Sequence, residues 1–324
     1  MTRMSLSSEA TEFGASVHQK LERLGGIKLY QRGTLSPEMR ASLGSELSEL
    51  GLWELDISAP QELEAAAAAT RAAGFHALPY PLAERLAHPD PDGAVAVVGG
   101  RGSVLVAHGD LPLTWTAVDL DGATHGLEAQ STVTSPLSDF IVKCVRIDTR
   151  PGLEHGPALA VVLQSWWLLG LVERAYAETL SYVTERRQFG RAVWDNQAVQ
   201  FDITKVHVAQ DRLHELAMFG LWSVGQPHRT SLWPVDAWGG HVTALETTAL
   251  AMGVAHQLHG AMGFCQETPI PWLGRASQSR QRLPFNVTTA TEVFVDAVLT
   301  EGFEQIFPVA PFIRTDDGEE SPWI

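Results

Sequence analysis

The run of apolar residues from Pro157 to Val172, PALAVVLQSWWLLGLV, is the feature that most limits how this chain can fold. Gln164 and Ser165 interrupt the run, and it is shorter than the roughly 20 apolar residues that a membrane-spanning helix needs. We therefore predict a helix inside a globular core rather than a membrane span. A helix that is apolar on all sides needs neighbours on all sides.

The sequence after this run supplies such neighbours. Apolar residues recur at helical spacing in four long segments, each separated from the next by a short connection. Asn286, just after Pro284, is the expected N-cap of the last helix. Four helices with short links favour a C-terminal four-helix bundle over residues 153–312. The predicted helices cover residues 157–187, 195–224, 234–262 and 286–304.

The part of the chain before the bundle divides into two kinds of sequence. Residues up to about Ala87 have the spacing and start signals of helices. The turn sequence HPDPDG then begins at His88, and short β-like segments separated by glycines follow as far as Arg150. The predicted fold class is mainly α with a reduced central β segment. The predicted domains are a helical domain at 1–88, a shortened β domain at 89–152, the bundle at 153–312 and an acidic tail at 313–324.

Composition narrows the possible partners of the chain. Its 324 residues carry a formal net charge of −15, which disfavours a nucleic-acid ligand because phosphates need positive charge. Cys144 and Cys265 are too few for a disulfide framework and lack the spacing of a metal site, as expected for a reducing compartment. Residues 1–20 contain no apolar signal sequence, so we expect a cytoplasmic protein with no membrane partner.

Two motifs carry a resemblance to a known family. The first, AYAETLSYVTERRQFGRAVWDNQAVQF, spans residues 175–201, and the second, AHQLHGAMGFCQETPIPWLGRA, spans residues 255–276. The first resembles a tyrosine, Arg-x-x-Phe-Gly and helix-starting Gln pattern of the acyl-CoA dehydrogenases. The second resembles their Gln-x-x-Gly-Gly-x-Gly-(Phe/Tyr) turn. The resemblance implies the acyl-CoA dehydrogenase fold, in which helices, a β segment and a four-helix bundle follow one another.

The resemblance also implies a set of residues that bind the cofactor FAD. It gives Arg186 to the flavin diphosphate, which a guanidinium fork suits. It implies that Phe189 packs on the cofactor, that Gln197 lies near the adenine and that Gln257 reaches the same molecule. In this family such groups serve the flavin of a neighbouring subunit, across an interface.

Each of these four residues also has a purely structural interpretation. Arg186 stands in a charged run that is typical of a solvated helix end, and Phe189 alone would suggest a core residue. Gln197 is consistent with an ordinary helix start, and Gln257 with a core amide. Ala261 departs from the family by replacing the second glycine of the Gly-Gly pair, and its methyl group could crowd a cofactor.

The chain lacks a carboxylate where this family has its catalytic base. Dehydrogenation of an acyl-CoA requires a base to remove the α-proton. Pro284 stands at the usual position of this glutamate, and Ala160 stands at the alternative position on the first bundle helix. Neither can accept a proton, so we expect no catalytic residue in this chain. Glu267 and Glu292 stay open as relocated bases, against their interpretation as a turn residue and an exposed helix residue.

Two further departures concern the flavin ring and the acyl chain. The β segment has neither the Thr-Glu-Pro-x-Ala-Gly-Ser-Asp-like loop nor the Trp-Ile-(Thr/Ser)-Asn-like strand with which relatives hold the isoalloxazine. Trp166 and Trp167 stand where the family has small residues along the acyl chain. We hypothesise that at least one of these rings fills the former acyl pocket, although both could be ordinary core residues.

The sequence retains the residues that would contact the flavin of a neighbouring subunit. It lacks the residues that would form a flavin and acyl site within this chain. This asymmetry resembles the non-catalytic subunit of actinobacterial α2β2 acyl-CoA dehydrogenases, which act on steroid side-chain or ring-fragment CoA thioesters. The resemblance implies a catalytic partner subunit that shares FAD, and electron-transfer flavoprotein or a similar acceptor. Two alternatives stay open: a homomeric dehydrogenase with a relocated base, and a flavin-free scaffold or acyl-CoA-binding module.

Overall fold

A computed structural model describes residues 5–31, 36–100, 102–133 and 140–306, so the acidic tail predicted at 313–324 lies outside the described residues. Helices dominate the described chain, which confirms the predicted mainly α class. The division into domains at residues 88, 152 and 312 stays a prediction. The helices are α1 Ser8–Leu24, α2 Lys28–Gln31, α3 Pro37–Ser48, α4 Pro60–Phe75, α5 Leu82–Leu86, α6 Ala158–Glu185, α7 Gln197–Val224, α8 Trp233–His259, α9 Ile270–Arg280, α10 Val287–Glu301 and α11 Phe303–Ile306.

The N-terminal helices are joined to the bundle by a close contact between α4 and α6. A Cβ atom on Gly74 would lie 1.8 Å from the carbonyl oxygen of Trp167, and one on Gly170 would lie 1.9 Å from the carbonyl oxygen of Arg71. Only glycine allows two helix backbones to approach this closely. The alanine-rich sequence of α4 also presents small side chains to α6, so both helices are almost fully buried along their contact.

The β segment forms one five-stranded sheet in the order β1-β3-β4-β5-β2. β1 and β3 are parallel, and the other neighbouring strands are antiparallel. The predicted β segments AVAVVGG, SVLVAHG, LTWTAVDLDG and DFIVKCVRI all contribute strands, and β4 is a strand that the sequence did not indicate. The strands are β1 Gly93–Val97, β2 Val104–Ala107, β3 Thr114–Val118, β4 Thr124–Thr132 and β5 Ile141–Thr149.

The four predicted bundle helices are confirmed as α6, α7, α8 and α10, with α8 in contact with the other three. The side chain of Asn286 caps α10 by accepting a hydrogen bond of 3.1 Å from the backbone N–H of Thr289, as predicted. Helix α9 was not predicted. Among the described helices, α6 is long and apolar enough to cross a membrane, but 89% of its most apolar window is buried inside the protein. It is the core helix that the sequence predicted.

Candidate functional site

A tight hairpin between α6 and α7 carries the first motif. Its strands, β6 Arg187–Gln188 and β7 Arg191–Ala192, pair in antiparallel fashion across a turn of two residues, Phe189 and Gly190. Both turn residues have positive φ, 52° and 80° respectively, as a type I′ turn requires. Glycine adopts this conformation readily, whereas a bulky residue such as phenylalanine rarely does. The hairpin therefore holds Phe189 in an unfavourable backbone conformation.

The side chain of Phe189 gains no packing within its own chain. It is 102% exposed relative to a reference residue, the highest exposure of the large apolar side chains described. The core interpretation of Phe189 is therefore wrong. A strained residue that presents an unpacked aromatic ring to solvent is typical of a surface that contacts another molecule.

The same hairpin concentrates positive charge in an otherwise acidic chain. Arg186, Arg187 and Arg191 are all exposed. Within the described residues, none of the three guanidinium groups forms an ion pair or a side-chain hydrogen bond. Their donors are free for an anion from outside the chain, and a guanidinium fork matches phosphate oxygens.

Gln197 and Gln257 lie at the same end of the bundle as the hairpin. Gln197 is the first residue of α7, behind the N-cap Asn196, and its side chain is exposed. Gln257 lies in the last turn of α8 and is also exposed, so it is not the core amide of the structural interpretation. The ring of Tyr182 stacks on His259 with centroids 4.2 Å apart, which joins the end of α8 to the end of α6.

His259 keeps this junction neutral. Burial lowers the pKa of His259 below its usual value, so the imidazole is uncharged near pH 7. Its Nδ1 lies 2.8 Å from the carbonyl oxygen of Ala255, so Nδ1 carries the proton. The four candidate residues therefore share one end of the bundle, and the arginines of the hairpin form no ion pair within the described residues.

A second region lies between the sheet and the bundle, where Pro284 stands in the position of the family's glutamate. Pro284 lines a cavity there together with residues of β1, β2 and α6. The cavity measures about 30 Å³, which accommodates about one water molecule. Small-molecule sites usually measure about 300–1,000 Å³. This cleft therefore has no room for an acyl chain or a flavin ring.

An ion pair that the sequence did not indicate closes this cavity. The guanidinium of Arg280, on α9, donates two hydrogen bonds to the carboxylate of Glu84, on α5. Both side chains are buried, with 5% and 7% of their surfaces exposed. Glu84 is the one carboxylate among the described residues that line the cavity. The cavity of about 30 Å³ leaves no space for a substrate beside this carboxylate.

The other residues weighed as bases lie away from the cavity. Ala160 is buried within α6, and its methyl group cannot act as a base. Glu267 is exposed in the turn before α9, and Glu292 is exposed on α10. Neither glutamate lines the cavity.

Comparisons with known proteins identify the domain. Residues 162–282 match the family model described as acyl-CoA dehydrogenase, C-terminal domain. The chain contains an acyl-CoA dehydrogenase C-terminal domain. No curated protein sequence matches the chain. Solved structures share the acyl-CoA dehydrogenase fold over nearly the whole described chain, which confirms the fold that the resemblance implied.

Three of these structures illustrate the similarity in fold. The ChsE4-ChsE5 complex from Mycobacterium tuberculosis has a TM-score of 0.68 and 15% identity, over 92% of this chain and 99% of that chain. The Tcur3481-Tcur3483 steroid ACAD G363A variant has a TM-score of 0.69 and 18% identity, over 91% and 99%. Butyryl-CoA dehydrogenase from Megasphaera elsdenii has a TM-score of 0.68 and 14% identity, over 92% and 100%.

The exposed end of this acyl-CoA dehydrogenase domain has donors that suit FAD, the cofactor of the family. Unpaired guanidinium groups suit a diphosphate, a free aromatic ring suits a flat ring system, and the amides of Gln197 and Gln257 can both donate and accept as an adenine requires. No three His, Cys, Asp or Glu side chains in the described part of the chain converge as metal ligands do. The donor set therefore fits a nucleotide at the surface of the domain.

Sequence reasoning missed other exposed residues near Gln257. Met262 and Phe264, in the turn after α8, are 39% and 75% exposed. The motif signals Phe264 through its final aromatic position, but only the structure reveals that the ring faces solvent. Ala261 is exposed too, so its methyl group fills no internal space and can crowd only a molecule outside the chain.

The two neighbouring tryptophans face different surroundings. The ring of Trp166 lies 6.1 Å from that of His214 on α7. The ring of Trp167 lies 5.0 Å from the guanidinium carbon of Arg280, which lines the small cavity. The hypothesis that a tryptophan fills the former acyl pocket stays a hypothesis, and Trp167 is its candidate.

An apolar groove of about 540 Å³ runs between α7 and α8 on the outside of the domain. Phe201 and Val208 are more than half exposed in it, at 58% and 62%. Gln197 lies four residues before Phe201 on α7, and Gln257 lies seven residues after Leu250 on α8, so each glutamine shares a helix face with a lining residue of the groove. Its lining residues are Phe201, Thr204, Lys205, Val208, Ala209, Arg212 and Leu250.

Proposed function

We propose that this chain is the non-catalytic subunit of a heteromeric FAD-dependent acyl-CoA dehydrogenase, an oxidoreductase that acts on the CH–CH bond of an acyl-CoA. It completes the FAD site of a catalytic partner subunit with Arg186, Phe189, Gln197 and Gln257. The observation that carries the proposal is an asymmetry. The groups for a neighbour's cofactor are exposed and unpaired, whereas the chain's own cleft measures about 30 Å³ and is closed by an ion pair.

The chain's role in the reaction is to bind and orient. Arg186 neutralises charge on the FAD diphosphate, and the amide groups of Gln197 and Gln257 hold the adenine end. Phe189 covers an apolar face of the nucleotide. Bound FAD supplies the hydride acceptor of the reaction, and the base that removes the α-proton belongs to the partner subunit.

The relatives support a more specific partner and substrate. One structure of similar fold is a complex of two named chains, ChsE4 and ChsE5, and another is called a steroid ACAD. We infer a catalytic acyl-CoA dehydrogenase subunit as partner in an α2β2 assembly, and a steroid side-chain or ring-fragment CoA thioester as substrate. Electron-transfer flavoprotein or a similar acceptor would reoxidise the flavin of the complex. Such an assembly would work in the cytoplasm without nucleic acid or a membrane.

Purification separates this proposal from its two rivals. A homomeric dehydrogenase with a relocated base would be yellow when purified alone. A flavin-free scaffold or acyl-CoA-binding module would stay colourless even with a partner. Our proposal predicts no bound flavin in the isolated chain and about one FAD per heterodimer after co-expression with a catalytic acyl-CoA dehydrogenase subunit. An isolated chain that retains stoichiometric FAD would overturn it.

In that complex, replacing Arg186 with alanine is expected to weaken FAD binding about 10-fold to 100-fold. A hydrogen bond to a charged group contributes about 1.5–3 kcal/mol, and each 1.4 kcal/mol corresponds to a factor of ten. The measurement is the FAD released on dialysis and the dissociation constant on readdition. Arg23→Ala, on α1, is the matched control because it removes the same charge far along the chain. Unchanged FAD affinity in the Arg186 variant would refute the role of this residue.

The groove between α7 and α8 gives a second test, because we propose that it receives an apolar helix face of the same catalytic partner. This occupant is supported by the helix faces that Gln197 and Gln257 share with Phe201 and Leu250 of the groove. A partner that places its flavin at the glutamines would extend toward the groove. Val208→Glu is expected to weaken the heteromer about 10-fold or more, because the complex would bury an unpaired carboxylate.

The matched control for Val208→Glu is Leu120→Glu. Leu120 is also apolar and exposed, at 43%, but lies in the turn between β3 and β4. Analytical ultracentrifugation of the two variant mixtures with the partner measures the effect. Equal dimerisation constants for the two variants would show that the groove is not the partner surface.

A further inference from the structure

The hairpin that presents Arg186 brings a second arginine to the same face. The strand pairing joins Gln188 to Arg191 and Arg187 to Ala192. The next pair outward is Arg186 and Val193, since the backbone N–H of Val193 donates a 2.8 Å hydrogen bond to the carbonyl oxygen of Arg186. Alternate residues of a strand lie on the same face of the ribbon.

This register assigns the three arginines to two faces. Arg186 lies in extended conformation, with φ −70° and ψ 124°, so the alternation extends to it. Arg186 and Arg191 therefore share one face as diagonal neighbours, whereas Arg187 lies on the opposite face. Diagonal neighbours in an antiparallel pair are about 7–8 Å apart. Two arginine side chains can converge from this separation on a single small anion.

We propose that Arg186 and Arg191 act as a two-guanidinium clamp, in which each binds one phosphate of the FAD diphosphate. The inference rests on the proposed function and adds Arg191 to it as a cofactor-binding residue. A diphosphate carries two adjacent phosphates, and each guanidinium offers a planar fork of donors that matches phosphate oxygens.

Two features of the hairpin favour a clamp over a general positive surface. The turn has only two residues, so its conformation and the register of the arginines are fixed. Within the described part of the chain, neither Arg186 nor Arg191 has a carboxylate partner, so neither must break an ion pair to bind phosphate. By contrast, Lys205 and Arg212 on the neighbouring helix are each paired with an acidic side chain.

The opposite face of the hairpin provides the matched control. Arg187→Ala removes the same charge from the same hairpin as Arg191→Ala, so it reproduces any loss that is due to the electrostatic field alone. The experiment uses the complex of the full chain with its catalytic partner. The measurements are the FAD content after dialysis and the FAD dissociation constant at two salt concentrations. Circular dichroism verifies that each variant folds.

Arg191→Ala is expected to weaken FAD binding about 10-fold to 100-fold, as Arg186→Ala does, because each removes a charge-assisted bond to phosphate. Arg187→Ala is expected to change it less than about threefold. Arg191→Lys should recover only part of the affinity, because lysine lacks the fork. Binding of riboflavin, which has no phosphate, should not change in the Arg191 variant.

The outcomes that contradict the clamp differ from those that contradict the proposed function. If Arg186→Ala releases FAD and Arg191→Ala does not, the clamp is wrong and the shared flavin site stands. Equal losses of FAD affinity in the Arg187 and Arg191 variants would show that the effect comes from net charge alone. That result would also overturn the clamp. A complex that binds no FAD, or whose FAD is indifferent to Arg186, would overturn the proposed function and with it the clamp.

Discussion

Replacing Arg280 with methionine is expected to lower the free energy of unfolding by about 3–5 kcal/mol, the usual cost of leaving a buried charge without its partner. Methionine keeps much of the side-chain volume, so the loss comes from the charge rather than from a large cavity. The variant leaves the carboxylate of Glu84 without its charged partner. This side chain is only 7% exposed and lies beside a cavity of about 30 Å³.

Urea unfolding of the full chain at pH 7, followed by circular dichroism, measures this effect. Arg212→Met is the matched control because Arg212 and Glu246 form an exposed pair, 3.7 Å apart, with 55% of each side chain exposed. Breaking such a surface pair costs less than about 1 kcal/mol. A double variant, Glu84→Gln with Arg280→Met, should recover part of the lost stability because no charge is stranded. A loss in Arg280→Met as small as the control's would contradict this account.

The buried pair also explains what sequence reasoning could and could not find. The helices of the bundle were predictable because their apolar spacing is local: residues 157–187 were predicted for the helix that spans Ala158–Glu185. The β-hairpin between α6 and α7 was not predicted, and the sequence indicated only the Arg-x-x-Phe-Gly turn of the motif. Glu84 and Arg280 are 196 residues apart in sequence, and nothing local to either residue indicates the other.

Helix α9 and strand β4 escaped prediction for a related reason. The buried face of α9 includes Ser277 and Arg280, so its polar residues hide the apolar spacing of a helix. Strand β4, THGLEAQST, is mostly exposed in its second half and has no continuous apolar alternation. Backbone pairing with β3 on one side and β5 on the other holds it in the sheet. Such pairing depends on strands elsewhere in the chain, which local patterns do not encode.

The motif predicted which residues face a cofactor, and their exposure excluded the core interpretation of two of them. Phe189 and Gln257 had been open to interpretation as core residues, and both side chains are exposed. For the cleft beside Pro284 the sequence indicated only a missing glutamate and not the small volume of about 30 Å³. The sequence could not indicate that a salt bridge closes the remaining space, because that depends on the packing of α5 against α9.

Lowering the pH from 7 to 5 is expected to destabilise the chain steeply, because His76, His108 and His241 are buried in their neutral form. Burial lowers the pKa of His76 and of His241 to about 4, helped by the positive charge of nearby groups. Burial and the guanidinium of Arg40, which lies 3.0 Å away, hold the pKa of His108 well below its usual range.

The direction of the pH effect on stability follows from the number of protons that the folded and the unfolded chain bind. Above about pH 6.5 these histidines are neutral in both states and the full stability is present. As the pH falls below that value, the three histidines bind protons in the unfolded chain but not in the folded chain. The free energy of unfolding therefore decreases. The loss from His76 and His241 continues until about pH 4, where the folded state also protonates. Each histidine contributes up to about 1.4 kcal/mol per pH unit, so the three together contribute about 4 kcal/mol per unit.

Urea unfolding at pH 7 and at pH 5 tests this prediction. The quantity compared between variants is the change in the urea midpoint from one pH to the other. Other groups also titrate, so the test compares variants. His241→Gln removes one of the three histidines that stay neutral in the folded chain. It should reduce the pH-dependence of the free energy of unfolding by about 1.4 kcal/mol per pH unit. The control, His228→Gln, changes an exposed histidine and should keep the wild-type dependence. If the two variants lose stability equally between pH 7 and 5, burial of His241 is not a source of acid sensitivity.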